Sequence, residues 1–288
     1  MEYCTAQTVA EAVSLLSEES LDIRVLAGGT DLLGQLRMGG ARPQRIVDVK
    51  SIPELHSIEE DEEGFRVGAA VCGAEIGEHA GLRAHWPGVV EATELIGSTQ
   101  IQGRASLGGN LCNASPAADT VPALIAAGAT CSVIGPDGRR DVPVEDIVQA
   151  PGKTCLAPAE IVAHFRLPRR GPRSGDAYLR LIPRTEMDIA VVGAGVALTL
   201  GEDGRCTACR VGLGAVAPTA LRVDEAAEAL IGGVVDDAAL EDLARAASAA
   251  ARPIDDKRGT REYRIQVAGV LTRRAARVAL ERAEAMSS

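Results

Sequence analysis

The chain opens with an amphipathic signal. Thr8-Val9-Ala10-Glu11 has the form of a capping box, and Ala12, Val13, Leu15 and Leu16 supply the apolar face of the helix it starts. Two short β-rich runs follow, IRVLA and RIVDV (45–49), and the first leads straight into GGTDLL. HSIEEDEEGFRVGAAV reads as a hairpin with charged DEEG at its turn, and ATCSVIGPDGRRDVPV as a second hairpin turning on PDG. Between them, helical and polar segments alternate from Ala74 to Ile96. EIVAHFRLP is a further strand.

The pattern changes at RRGPRSGD (169–176), which is polar and punctuated by glycine and proline. A domain boundary is expected there, with one domain over 1–170 and a smaller one over 176–288. Beyond it lie three strand-like runs, YLRLI, AVVGAGVALTL and CTACRVGLGAV, the first the weakest. Alanine-rich helices are expected at Asp224–Leu230, Asp237–Ala251 and Thr260–Ala285. The last carries Arg273, Arg274, Arg277 and Arg282 toward its C-terminus, where cations suit the helix dipole. The fold class expected is α+β in both domains, the second built on a three-stranded antiparallel sheet with helices.

Composition narrows the chemistry. The chain is 46% hydrophobic but 2% aromatic, so its core must be made of Ala, Val, Leu and Ile. A net charge of −10 argues against general polyanion binding, and any phosphate must be held locally by directed groups. The N-terminal MEYCTAQTVAEAVSLL lacks a basic region followed by an unbroken apolar run, and no apolar segment is long enough to cross a bilayer. A cytoplasmic protein is expected. Seven dispersed cysteines read as reduced thiols, and Cys206-Thr-Ala-Cys209, without a second ligand pair, reads as structural.

Two glycine-centred turns stand out: AGGTDLL (27–33) and SLGGNLCNASPAAD (106–119). Glycine admits positive φ and lets a ligand approach bare backbone, and successive amides can converge on an anion. Thr30, Ser106, Asn110, Asn113 and Ser115 add hydroxyl and amide groups. Asp31 and Asp119 would repel a diphosphate at contact, so they should face hydroxyls, amides or ring N–H groups. Asp119 also precedes TVPALIAAGA, where an N-cap role worth ~1 kcal/mol competes with ligand contact. VVGAGVAL lacks the third glycine and the following helix of a dinucleotide fingerprint and is set aside. No metal-ligand spacing links the four histidines, so a bound cofactor is expected to supply any chemistry.

AGGTDLL followed by QIQGRASLGGNLCNASPAADTVPALIAAGA resembles the FAD-binding medium subunits of molybdenum hydroxylases, the family of carbon monoxide dehydrogenase and xanthine dehydrogenase. YLRLIPRTEMDIAVVGAGVAL, VGLGAVAPTALRVDEAAEALIGG and REYRIQVAGVLTRRA extend the resemblance to nearly the whole chain. It implies a flavin-binding domain of the vanillyl-alcohol-oxidase/p-cresol-methylhydroxylase type followed by a small α+β domain. It further implies that Leu26, Ala27, Gly28, Gly29, Thr30 and Asp31, with Ser106, Leu107, Gly108, Gly109 and Asn110, enclose the pyrophosphate and ribityl chain. Leu32, Cys112, Asn113 and Ser115 join the binding set. Asp119 would hold the adenosine side, and Ile96 with Ile161 or Val162 would lie against ring surfaces. Arg180, Arg184 and Asp188 would approach from the second domain.

Neither glycine turn holds a histidine for a flavinyl bond, so the FAD is expected to be non-covalent. The resemblance implies partners, a molybdopterin large subunit and a small subunit with [2Fe-2S] clusters, and a role in passing their electrons to a terminal acceptor. A stand-alone flavin oxidase or dehydrogenase is the alternative, with Tyr178 and Glu186 the nearest candidate bases. A scaffold with a decayed flavin site is a third reading, opposed by the intact glycines.

Overall fold

The computed structural model describes residues 1–285. Thr8 starts α1 (Val9–Leu16) as its sequence dictates, its hydroxyl accepting from the Glu11 N–H at 3.1 Å. The Glu11 carboxylate reaches back to the N–H of Gln7 at 2.8 Å, one residue before the expected partner. β1 (Glu2–Thr5), β2 (Ile23–Leu26) and β3 (Arg45–Asp48) pair in parallel, with β3 central and β2 at an edge. α2 (Leu32–Arg37) follows β2.

The second sheet is antiparallel, in the order β4 (Ile58–Asp61), β5 (Gly64–Gly68), β10 (Ile161–Pro168), β6 (Thr130–Gly135), β7 (Gly138–Pro143). Both hairpins turn where expected. Asp61 Oδ1 accepts the N–H groups of Glu63 and Gly64, and Gly64 and Gly138 take φ of +129° and +110° that side chains resist. Between β5 and β6 lie α3 (Gly73–Glu78), α4 (Ala80–His85), α5 (Pro87–Glu94), α6 (Thr99–Gln102), α7 (Leu107–Cys112) and α8 (Thr120–Ala127). α9 (Val144–Ile147) and the hairpin β8 (Val148–Ala150) with β9 (Lys153–Thr154) connect β7 to β10.

The RRGPRSGD segment is less irregular than its composition suggests. β11 (Ser174–Leu181) begins inside it, pairing Ser174 with Thr199 of β12 (Val192–Leu200). β13 (Cys206–Gly214) continues the antiparallel sheet, and two-residue β14 (Leu221–Arg222) adds a fourth strand to the three expected. α10 (Asp224–Glu228), α11 (Asp237–Ala250) and α12 (Arg261–Ala285) complete this unit. Its core is aliphatic, with Ala268, Ala275, Ala276, Ala279 and Ala283 of α12 buried. Cys206 and Cys209 are buried in that core as free thiols.

All eight residues of α8 are buried, because the helix is packed between the five-stranded and four-stranded sheets. Glycines make room for it. A Cβ on Gly195 or Gly212 would lie 2.6 or 2.2 Å from the Pro122 carbonyl oxygen. The small residues of VVGAGVAL are therefore a docking face for a helix.

Candidate functional site

A cleft of ≈470 Å³ opens between the two glycine turns and is closed behind by β10, a volume typical of small-molecule sites. The first turn leaves β2 at Leu26, whose carbonyl accepts from the Val49 N–H at 3.0 Å. Gly28 then passes so close to the second turn that a Cβ would sit 2.1 Å from the Arg104 carbonyl oxygen. Gly29 reverses the chain at φ +79°. Among the described residues, the N–H groups of Gly28, Gly29, Thr30 and Asp31 meet no protein acceptor. Four consecutive donors without a protein acceptor thus lie in residues that line the cleft, the kind of backbone run from which anion-binding nests are made.

The second turn works differently. Gly108 N–H bonds the Ala69 carbonyl at 3.0 Å, Gly109 N–H bonds Ser106 Oγ at 3.2 Å, and Asn110 N–H bonds the Ser106 carbonyl at 2.9 Å. Three of the amides expected to grip phosphate are already paired within the fold. What the second turn presents is bare surface. A Cβ on Gly109, which lines the cleft, would meet only Ser106 Oγ, at 3.3 Å, whereas one on Gly108 would be driven into Ala69.

Of the residues singled out in the sequence, the cleft brings together Leu26, Ala27, Gly28, Gly29, Thr30, Asp31 and Leu32 with Ser106, Gly108, Gly109, Asn110, Cys112 and Asn113. Ile96, Ile161 and Val162 complete its apolar wall. Leu107, Ser115, Asp119, Arg180 and Asp188 do not line it. Leu107 is buried in the core and Ser115 Oγ accepts from its neighbour Ala117 N–H. Asp188 is held by Arg184 and Arg258, and the Arg258 bond is the main cause that brings its carboxyl down to about 2.

Asp119 stands at the N-cap position of α8, but its side chain makes no capping hydrogen bond. Asn110 Oδ1 accepts both the N–H and hydroxyl of Thr120, at 3.2 and 2.6 Å, and takes that role. The Asp119 carboxylate instead receives Tyr178 Oη at 3.1 Å and Arg180 Nη1 at 2.8 Å. Burial pushes Asp119 up to about 6 against the pull of Arg180 and Tyr178.

Sequence reasoning missed Gln35, Leu55, Ala69, Ala70, Leu156 and Glu160, which also line the cleft. Their residue types carry no signal: Gln35 comes with α2 directly after the first turn, whereas Leu55, Ala69, Ala70, Leu156 and Glu160 reach the cleft through long-range folding around β5 and β10. Glu160 is fixed by Arg140 at 2.8 and 2.7 Å and by the Ala157 N–H at 2.7 Å, and the Arg140 bond lowers its pKa. Asp31 stands at the mouth, where the surrounding protein raises its pKa and Thr30 opposes the rise. With Asp31 and Glu160 near by, backbone N–H groups are the appropriate donors for an anion. Cys112 opens onto the cleft as a free thiol.

Residues 1–170 match the family model of the FAD binding domain in molybdopterin dehydrogenase, and residues 177–279 that of the CO dehydrogenase flavoprotein C-terminal domain. The carbon monoxide dehydrogenase medium chain of Afipia carboxidovorans is 34% identical over 288 residues, covering 98% of both chains. The chain belongs to the molybdopterin-dehydrogenase FAD-binding family.

Other members of the family reinforce the match. The xanthine dehydrogenase FAD-binding subunit of Escherichia coli O157:H7 is 29% identical over 94% of this chain and 93% of its own length. Carbon monoxide dehydrogenase from Hydrogenophaga pseudoflava, solved without the Mo-pyranopterin moiety of its cofactor, superposes with a TM-score of 0.94 at 33% identity, covering 98% of each chain. Quinoline 2-oxidoreductase from Pseudomonas putida 86 superposes at 0.89 with 26% identity, over all of this chain and 98% of that one. As a family member the chain is an FAD-containing oxidoreductase subunit. Among the described residues no helix is long and apolar enough to cross a membrane.

Proposed function

We propose that this chain holds FAD non-covalently between its two glycine turns and relays electrons from the [2Fe-2S] clusters of a small subunit to a terminal acceptor. A molybdopterin large subunit would supply those electrons, and the assembly would work in the cytoplasm. The observation that carries the reading is the row of unpartnered amides from Gly28 to Asp31, in residues that line a cleft whose opposite wall includes Gly108 and Gly109. FAD, when bound, supplies the step between two-electron and one-electron transfer.

The chain's own residues do the rest. Gly28, Gly29, Thr30 and Asp31 would direct N–H groups at the diphosphate, while Gly109 leaves room for it. Ile96, Ile161 and Val162 would exclude water from the flavin ring, and Asp119 with Arg180 would set the electrostatics behind Asn110. A stand-alone oxidase would need a base at its substrate, and neither sequence candidate lines the cleft, while Glu160, which does, is held by Arg140. Tyr178 is fully buried and donates to Asp119, and Glu186 does not line the cleft.

The test is flavin content. The chain co-purified with its large and small partners should carry stoichiometric FAD that acid denaturation releases. Gly109→Val places a branched side chain in the cleft and should weaken FAD binding about 100-fold, a loss near 3 kcal/mol, with an unchanged circular-dichroism melt. Full flavin retention by that variant would refute the placement.

A further inference from the structure

The two walls of the cleft are anchored unequally. The second turn is tied down on every side: Cys72 and Ser106 form a bridge, Gly108 bonds Ala69, and Asn110 is locked to the first residue of fully buried α8. The first turn continues into α2, which has no buried residue. Leu33 and the following Met38 are 49% and 82% exposed. Positive-φ glycines bracket the helix, Gly29 at +79° before it and Gly39 at +73° after it. A Cβ on Gly34 or Gly39 would find nothing within 4 Å, so neighbouring protein presses on neither position.

On its inner side α2 contributes Leu32 and Gln35 to the cleft. Among the described residues one side-chain hydrogen bond joins α2 to the opposite wall, Gln35 Nε2 to Asn113 Oδ1 at 3.4 Å. Asn113 is the C-cap of α7 and belongs to the anchored side. We infer that α2 is a hinged flap over the cofactor cleft, turning on Gly29 and Gly39, and that the Gln35–Asn113 contact is the latch that sets how long FAD stays bound. This rests on the FAD reading above. Gln35 is thus a positioning residue: it closes the cleft and takes no part in electron transfer.

The experiment measures FAD release from the full chain, assembled with its partners, by the return of free-flavin fluorescence after dilution. Gln35→Ala and Asn113→Ala should each speed release about two- to tenfold, the range one exposed hydrogen bond supports. The double variant should release no faster than either single one, because both remove the same contact. Hydrogen exchange of the flavin-free chain should be faster over 32–37 than over 107–112, and FAD should slow the first segment most. Both variants change exposed or half-buried polar groups, so unaltered melting is expected and gives the release rates their meaning. Wild-type release rates in the variants, or additive effects in the double variant, would overturn the flap while leaving the FAD reading in place. A wild-type chain that binds no FAD would overturn both.

Discussion

His164 shows how a single side chain sets a pH limit on this fold. It lies on β10, 3% exposed, with Nδ1 unpartnered and Nε2 3.4 Å from Arg139 Nη2. Burial brings its pKa down to about 4, and Arg139, Arg66 and Arg166 push the same way while Asp141 opposes them. The folded pKa is below that of the unfolded chain, so the neutral ring's contribution is complete above pH ~6.5 and is lost as pH falls through about 4. Urea unfolding of the wild type should lose on the order of 2 kcal/mol across that window relative to His164→Gln, which has no titrating ring. Parallel pH profiles for the two proteins would refute this. Legibility at this scale depended on residue type. Paired glycines announce bare backbone whatever surrounds them. Its place before the helix leaves Asp119 open to a capping role or a ligand contact alike, and only the folded chain shows Asn110 reaching across to do the capping. Nor could any local pattern show that Ser106–Asn110 uses its amides internally while Gly28–Asp31 leaves its own free.

Among the elements, α8 decides the arrangement. It was legible as a helix, and its missing polar face says that it is enclosed, but nothing in TVPALIAAGA names the second sheet that encloses it. The complementary clue was Gly193-Ala194-Gly195, a run whose small residues have no local purpose. Gly212 is the most confined of the matching positions, with a Cβ 2.2 Å from the Pro122 carbonyl. Gly212→Ala should therefore wedge α8 off β13 and cost about 1–3 kcal/mol, the usual range for overpacking. Thermal melting measures it, and an unchanged midpoint would show that the helix can shift without loss. Because α8 holds Asn110 through Thr120, the same variant should also retain less flavin.

At the scale of the molecule, the two units are joined by charge as well as by packing. Arg282 of α12 bonds Glu91 of α5 and the Asp176 carbonyl, and Glu91 accepts from the Tyr178 N–H at 3.1 Å. Arg170 pairs with Asp176 at 2.7 Å and stacks 4.5 Å over the Trp86 ring. Arg210 reaches from β13 to the Ile125 carbonyl and to Glu145. The pair Asp119–Arg180 is the most consequential, with side chains 11% and 4% exposed. Arg180→Met would leave a buried carboxylate without its counter-ion, a loss of about 3 kcal/mol when the group is ionised. The deficit should be largest near pH ~8 and shrink as pH falls toward about 6, because Asp119 without Arg180 takes up its proton at a higher pH than in the wild type. Urea midpoints at the two extremes measure it, and a pH-independent deficit would assign the loss to packing alone.

A helix wetted on no side also constrains ancestry. The cofactor half cannot be lifted out as a cassette, since cutting the chain after its first family domain would strip the cover from α8 and loosen the wall it braces. Any recombination that kept α8 enclosed would have to carry both halves together.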